Sequence, residues 1–173
     1  CEVEVIDYVL PTANKNVGID LGLTDFAILS DGTKIENPRF LLKSAQKLAK
    51  EQRLLSKRIK KKKKEKRKLE DSKNYQKQKL KVAKLHAKVA RQRSNFIHTL
   101  TKQLVEEYDI ISLETLKSKE MMQDKQLAKS ILDVSWFDFL TKLKYKADWN
   151  GRTVVQIDQF FPSSQLCSSC GHN

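Results

Sequence analysis

Between Arg39 and Lys102 the chain carries 24 Lys and Arg against 4 Asp and Glu, and no other feature restricts the fold as much. So many like charges cannot enter a core, because each unpaired buried charge costs at least several kcal/mol. Yet the block is not uniformly polar. Leu41, Leu48 and Leu55 recur every seven residues, flanked by Leu42, Leu54 and Ile59, and the seam fades through the lysine run Lys60–Lys64 before returning at Leu69. A second periodic stretch runs through Leu80, Val82, Leu85, Val89, Phe96, Ile97, Leu100 and Leu104. A narrow apolar seam suits a helix lying against one partner helix. The spacing therefore predicts a long antiparallel helical hairpin over residues 39–107, each arm about 30 residues and roughly 45 Å long, with Asp71-Ser72-Lys73-Asn74 as the connection.

Outside the block the charge is acidic: the whole chain is at +13, so the remainder sums to −7. A neutral-to-acidic body with one basic arm is the footprint of polyanion binding. Within the arm, Arg53, Lys57, Arg58, Lys61, Lys64, Arg67, Lys84, Lys88, Arg91 and Arg93 are the candidate nucleic-acid contacts. The bland alternative is a solvated charge run, strongest for Lys60–Lys64. No apolar run approaches the roughly 20 residues of a membrane span, and no signal peptide is recognisable, so a membrane partner is not expected.

The flanking segments alternate strand and helix signals. Glu2 to Val9 reads as a short strand with one wet face, and Pro11 to Asn16 as a turn. Val17–Leu21 and Asp25–Ser30 read as paired strands, and Asp31-Gly32 as a hairpin turn into a third strand over Thr33–Glu36. Asn37-Pro38 is the expected start of the first long helix, with Asn as cap. Tyr108–Leu113 reads as a buried strand, Thr115–Val134 as a loop with a short helix, and Ser135-Trp136-Phe137-Asp138 as a capping box. The helix this box opens ends at Gly151, and Thr153–Ile157 reads as another buried strand. Three strands, a helical excursion, a strand, a helix and a strand predict an α/β fold with a mixed sheet in the RNase H-like order.

Two carboxylates stand out. Asp20 sits in Val-Gly-Ile-Asp-Leu-Gly and Glu114 ends Ile110-Ile111-Ser112-Leu113, each at the end of an otherwise apolar strand. Asp is disfavoured in strands and a buried charge needs a partner or a metal. Paired carboxylates offer hard oxygen ligands for Mg²⁺, and such ions clamp the oxygens of a phosphodiester during hydrolysis. A strand-end Asp capping a turn is the alternative. Cys167 and Cys170 form a C-x-x-C followed by Gly171, which resembles one knuckle of a zinc ribbon; a structural site needs four ligands, so Zn²⁺ would be incompletely held. Of the aromatic residues Trp136, Trp149, Phe160 and Phe161, all are expected in core packing rather than on bases.

Several blocks together resemble the TnpB (OrfB) proteins of bacterial insertion sequences: Val-Gly-Ile-Asp-Leu-Gly-Leu-Thr-Asp-Phe-Ala, Ile-Ser-Leu-Glu-Thr-Leu, Ser-Trp-Phe-Asp-Phe, Tyr-Lys-Ala-Asp-Trp-Asn-Gly-Arg and Phe-Phe-Pro-Ser-Ser-Gln-Leu-Cys-Ser-Ser-Cys-Gly. They run in order from about Asn16 to the C-terminus. The resemblance implies a RuvC-like, RNase H-like nuclease core that cleaves a DNA target under a guide RNA, using Mg²⁺, with Asp20 and Glu114 as the first two catalytic acids. It implies a zinc ribbon whose first pair is Cys167 and Cys170, and a bacterial cytoplasmic protein associated with the nucleoid when acting. The expected organisation is then 1–16 as the end of an upstream domain or linker strand, 17–161 as the core interrupted by hairpin 39–107, and 162–173 as half of a ribbon. The third acid of that family would lie past Asn173, since Asp158 does not match its position, so these residues alone are expected to bind nucleic acid and to cut poorly. Two rival readings stay open: a non-enzymatic nucleic-acid-binding protein, and an ATPase of the Hsp70/actin type, although a chain with only five Gly lacks a second phosphate loop.

Overall fold

A computed structural model describes residues 9–65, 68–115, 123–124 and 127–158. Its centre is a five-stranded sheet in the order β3-β2-β1-β4-β5. β1 (Asn16–Leu21), β2 (Asp25–Leu29) and β3 (Lys34–Glu36) form an antiparallel meander. β4 (Ile110–Glu114) lies parallel to β1 on its other side, and β5 (Thr153–Ile157) lies parallel to β4. The turn between β2 and β3 closes as Asp31-Gly32 predicts: Gly32 takes φ 88°, and the Asp31 carboxylate accepts the Thr33 amide at 2.8 Å.

The hairpin spans the expected residues, with unequal arms. α1 is Phe40–Lys64 and α2 is Lys73–Glu107, 25 and 35 residues long. At 1.5 Å per residue they extend about 37 and 52 Å. Ser72 caps α2 through the Tyr75 amide. Along the shared seam Leu48 of α1 and Val82 and Val89 of α2 are buried, and the buried Gln78 donates to the Glu51 backbone carbonyl and carboxylate.

The start of α1 departs from the sequence expectation. Asn37 is not its cap: its amide donates to the Leu23 carbonyl while its oxygen accepts from the Arg39 amide. Arg39 then takes a left-handed conformation, φ 48°, and α1 begins at Phe40. The cap comes instead from a distant residue. Asp133, on the short helix α3 (Ala128–Val134), accepts the Leu41 amide with both carboxylate oxygens, at 3.2 and 3.0 Å. Ser135 likewise does not cap α4 (Trp136–Trp149); it is left-handed, and its hydroxyl donates back to the Leu132 carbonyl. One residue joins α3 to α4, so its backbone must turn the chain. Gly151 ends α4 as expected, at φ 68°, and a Cβ there would stand 2.7 Å from Val9.

Among the described residues, helices cover one face of the sheet. The C-terminal half of α2 and all of α4 pack on Val17, Ile19, Leu21, Ile111 and Leu113 through Ile97, Leu104, Phe139 and Leu143. Phe26 holds this layer together, meeting Phe96 and Phe139 edge-on at 5.1 and 5.3 Å. A second tie lies at the sheet end that begins β4 and β5. Buried Arg152 donates to Asp109 at 2.6 Å and to the carbonyls of Val105 and Pro11. Asp109 also accepts the amides of Ala13 and Asn14, and those bonds, with Arg152, hold its carboxyl below the usual range. β5 is not the buried strand its sequence suggests: it is the sheet edge among the described residues, and Val155 is 43% exposed. The strand expected over Glu2–Val9, nearly all of the loop 115–127, and Phe160 to Asn173 lie outside or largely outside the described residues.

Candidate functional site

The strand β1 alternates strictly, with Val17, Ile19 and Leu21 buried against the helices and Asp20 on the opposite, exposed face. β4 repeats the pattern: Ile111 and Leu113 are buried and Glu114 is exposed. The two acids are therefore not buried charges, as the apolar flanks suggested. A period of two cannot bury Ile19 and Leu21 without turning Asp20 outward. What the fold does supply is proximity. In the parallel β1–β4 pair Ile19 stands opposite Leu113, which sets Asp20 abreast of Glu114 one residue further on. Adjacent strands lie about 4.8 Å apart, so the carboxylates leave the same sheet edge side by side. They line a shallow depression of about 300 Å³ with Gly18, Ser30, Ser112 and Ile157.

This position is where the sheet changes from antiparallel to parallel, at the C-terminal ends of its central strands. Open α/β sheets place ligands outside those ends. Gly22 keeps the turn after Asp20 tight, since a Cβ there would lie 2.9 Å from the Asp25 carbonyl oxygen. Asp158 follows Ile157, the register partner of Glu114, and strand alternation leaves it out of phase with the acids. Among the described residues no group of three or more His, Cys, Asp or Glu converges. Mg²⁺ nevertheless commonly takes one or two carboxylates and completes its shell with water and phosphate oxygens, so this donor pair fits a hard divalent cation. Cys167 and Cys170 lie outside the described residues.

The hairpin candidates separate into two groups. Arg53, Lys57, Lys61, Lys64, Lys84, Lys88 and Arg91 are exposed. Arg93 instead pairs with Asp133 at 2.8 Å at the hairpin base, with its side chain 23% exposed. Arg58 donates across the hairpin to the Asn74 carbonyl. Both therefore serve the hairpin's own structure, and Arg67 is outside the described residues. Two further groupings had no sequence signal. His98 and Lys102 of α2 adjoin Lys142 and Lys146 of α4; the Lys146 ammonium donates to the His98 carbonyl and the Thr101 hydroxyl. Burial together with Lys146 and Lys142 lowers the His98 pKa, and burial with Lys142 and Lys102 lowers that of Lys146. Trp136 is buried as expected, but Trp149 is 65% exposed and stacks at a tilt on Tyr145, so it is not a core residue.

Residues 1–125 match OrfB_IS605, described as "Probable transposase". The chain belongs to this family. Residues 136–173 also match the "Cas12f1-like, TNB domain". A protein of Streptomyces pristinaespiralis, named "Putative RNA-guided DNA endonuclease", is 38% identical over 161 residues, covering 93% of this chain and 38% of the relative. Escherichia coli K12 has one with the same description, InsQ, 33% identical over 186 residues and covering 99% of the chain and 43% of the relative. This OrfB_IS605 chain thus spans about two-fifths of the length of those relatives. Its fold is shared with a chain in a Cas12f1–sgRNA–target DNA complex, at TM-score 0.56 and 17% identity over 94% of this chain and 40% of that one. No helix among the described residues is long and apolar enough to cross a membrane.

Proposed function

We propose that this chain is the RNase H-like, RuvC-like core of an RNA-guided DNA endonuclease, in which Asp20 and Glu114 hold Mg²⁺. The observation that carries the reading is the pair of carboxylates abreast at the ends of adjacent parallel strands, at the sheet's topological switch. The names of the relatives, and the nucleic acids in the complex that shares the fold, support a DNA target and a guide RNA as partners. When bound, the cation supplies Lewis acidity at a phosphodiester and stabilises charge on its oxygens. The chain's own part is to set two acids side by side at the ends of adjacent strands, on the sheet face that the described helices leave uncovered. The C-x-x-C of Cys167 and Cys170 belongs to the same reading as two of the four ligands of a structural Zn²⁺.

The test is Mn²⁺ as a paramagnetic probe. In the chain, resonances around Asp20, Gly18, Ser112 and Glu114 broaden at substoichiometric Mn²⁺, and Asp20→Ala with Glu114→Ala abolishes this while leaving the melting temperature unchanged. In the longer protein, with guide RNA, each single substitution removes DNA cleavage and preserves binding. Cleavage that survives both substitutions would overturn the assignment.

A further inference from the structure

Most exposed basic residues of the hairpin fall in one stripe on each helix. At about 100° per residue, Lys73, Lys77, Lys81, Lys84, Lys88 and Arg91 fall within an arc of about 80° on α2, and all are exposed. On α1, Lys43, Lys50, Arg53, Lys57 and Lys64 fall within an arc of similar width, again all exposed. On α2 the arc lies well round from the seam residues Gln78 and Val82, and on α1 it lies opposite the buried Leu48, facing away from α2. Off these stripes, Gln52 and His86 meet across the helices at 3.5 Å. Each helix therefore carries one strongly basic stripe away from the seam, with Lys63 and Lys79 among the exposed cations off the stripes.

The α2 arc does not stop where the hairpin meets the body. It continues in register to His98 and Lys102, which adjoin Lys142 and Lys146 of α4. Asp138 and Glu106 partly offset this cluster by pairing with Lys142 and Lys102. From Lys73 to Lys102 the row extends about 44 Å, longer than the roughly 34 Å of one duplex turn. The basic arcs contain no aromatic side chain on which single-stranded bases would stack. α4 and the body end of α2 cover the sheet face opposite Asp20 and Glu114.

We infer that the basic row of α2 and the His98, Lys102, Lys142 and Lys146 cluster form one continuous dock for the backbone of a nucleic-acid duplex, separated by the sheet from the carboxylates. The duplex held there is thus not the strand presented to Asp20 and Glu114. This rests on the nucleic-acid reading above but not on catalysis.

The test is fluorescence anisotropy with the 173-residue chain, in EDTA, over a salt series, with a 20-base-pair duplex and the matching single strand as probes. One variant carries Gln at Lys77, Lys84, Lys88 and Arg91; a control of equal charge carries Gln at the exposed off-face lysines Lys15, Lys63, Lys79 and Lys129. The on-face variant flattens the logarithmic salt slope for duplex by up to about 3.6, at about 0.9 per lost phosphate contact, and the control by less than about 1. Equal flattening by both variants, or tighter binding of the single strand than of the duplex, overturns the dock. Absence of binding to either probe overturns the nucleic-acid reading as well. The extension onto α4 is read by NMR at His98: added duplex raises its pKa, since phosphate favours the imidazolium, and an unchanged His98 refutes that extension. Asp20→Ala with Glu114→Ala leaves all of these values as they are.

Discussion

Asp133 should decide how firmly the basic hairpin is set on the body. Its carboxylate caps α1 at the Leu41 amide and pairs with Arg93 of α2, so one side chain on α3 ties both arms. Loss of a helix cap costs about 1 kcal/mol. Loss of a charge-assisted bond between two partly buried groups, with side chains 23% and 10% exposed, costs roughly 1.5–3 kcal/mol, toward the low end because Arg93 still reaches water. Asp133→Ala should therefore destabilise by about 2–4 kcal/mol, which at this chain length lowers the melting temperature by about 5–15 °C. Asp133→Asn keeps an oxygen for the Leu41 amide and loses only the charge, so it should cost about 1 kcal/mol. The assay is thermal unfolding by far-ultraviolet circular dichroism at two salt concentrations. Equal losses for Ala and Asn, or a loss under about 1 kcal/mol for Ala, would refute the tertiary cap.

The core and the titrating groups give further expectations. Phe139→Ala, at a fully buried ring packed on Phe26, should cost about 3–5 kcal/mol in urea unfolding. Asp20→Ala and Glu114→Ala should each stay within about 0.5 kcal/mol of the parent, because both are exposed. Asp31 and Asp109 have lowered pKa values in the folded chain, first through the Thr33 and Ala13 amides respectively. Their contribution is present above the unfolded carboxylate value, near pH 4, and is lost as pH falls through the folded values; an acid unfolding profile of Asp109→Asn should be shallower there. Burial and the Asp31 carboxylate push Tyr108 up to about 12. Its contribution is present below the unfolded value, near 10, and disappears as pH rises toward 12, so Tyr108→Phe should flatten the alkaline limb of stability.

The sequence alone carried the element order, because each element advertises itself locally. Alternation marks β1, Asp31-Gly32 marks the β2–β3 turn, and the heptad leucines mark α1. It also carried Asp20 and Glu114 as a pair, since a carboxylate ending an apolar strand is conspicuous without knowledge of the fold. Three things were decided only by tertiary structure. Whether those acids are buried depends on which sheet face the helices cover, and alternation fixes phase without fixing side. The ends of α1 and α4 depend on partners far along the chain or on backbone hand, so Asn37 and Ser135 look like caps while Asp133 and a left-handed turn do the task. The basic residues are countable in the sequence, but which way their stripes face follows from the seam that α1 and α2 share. The hairpin that most restricted the fold in the sequence has thus become an oriented element, because packing assigns each cation a direction as well as a place.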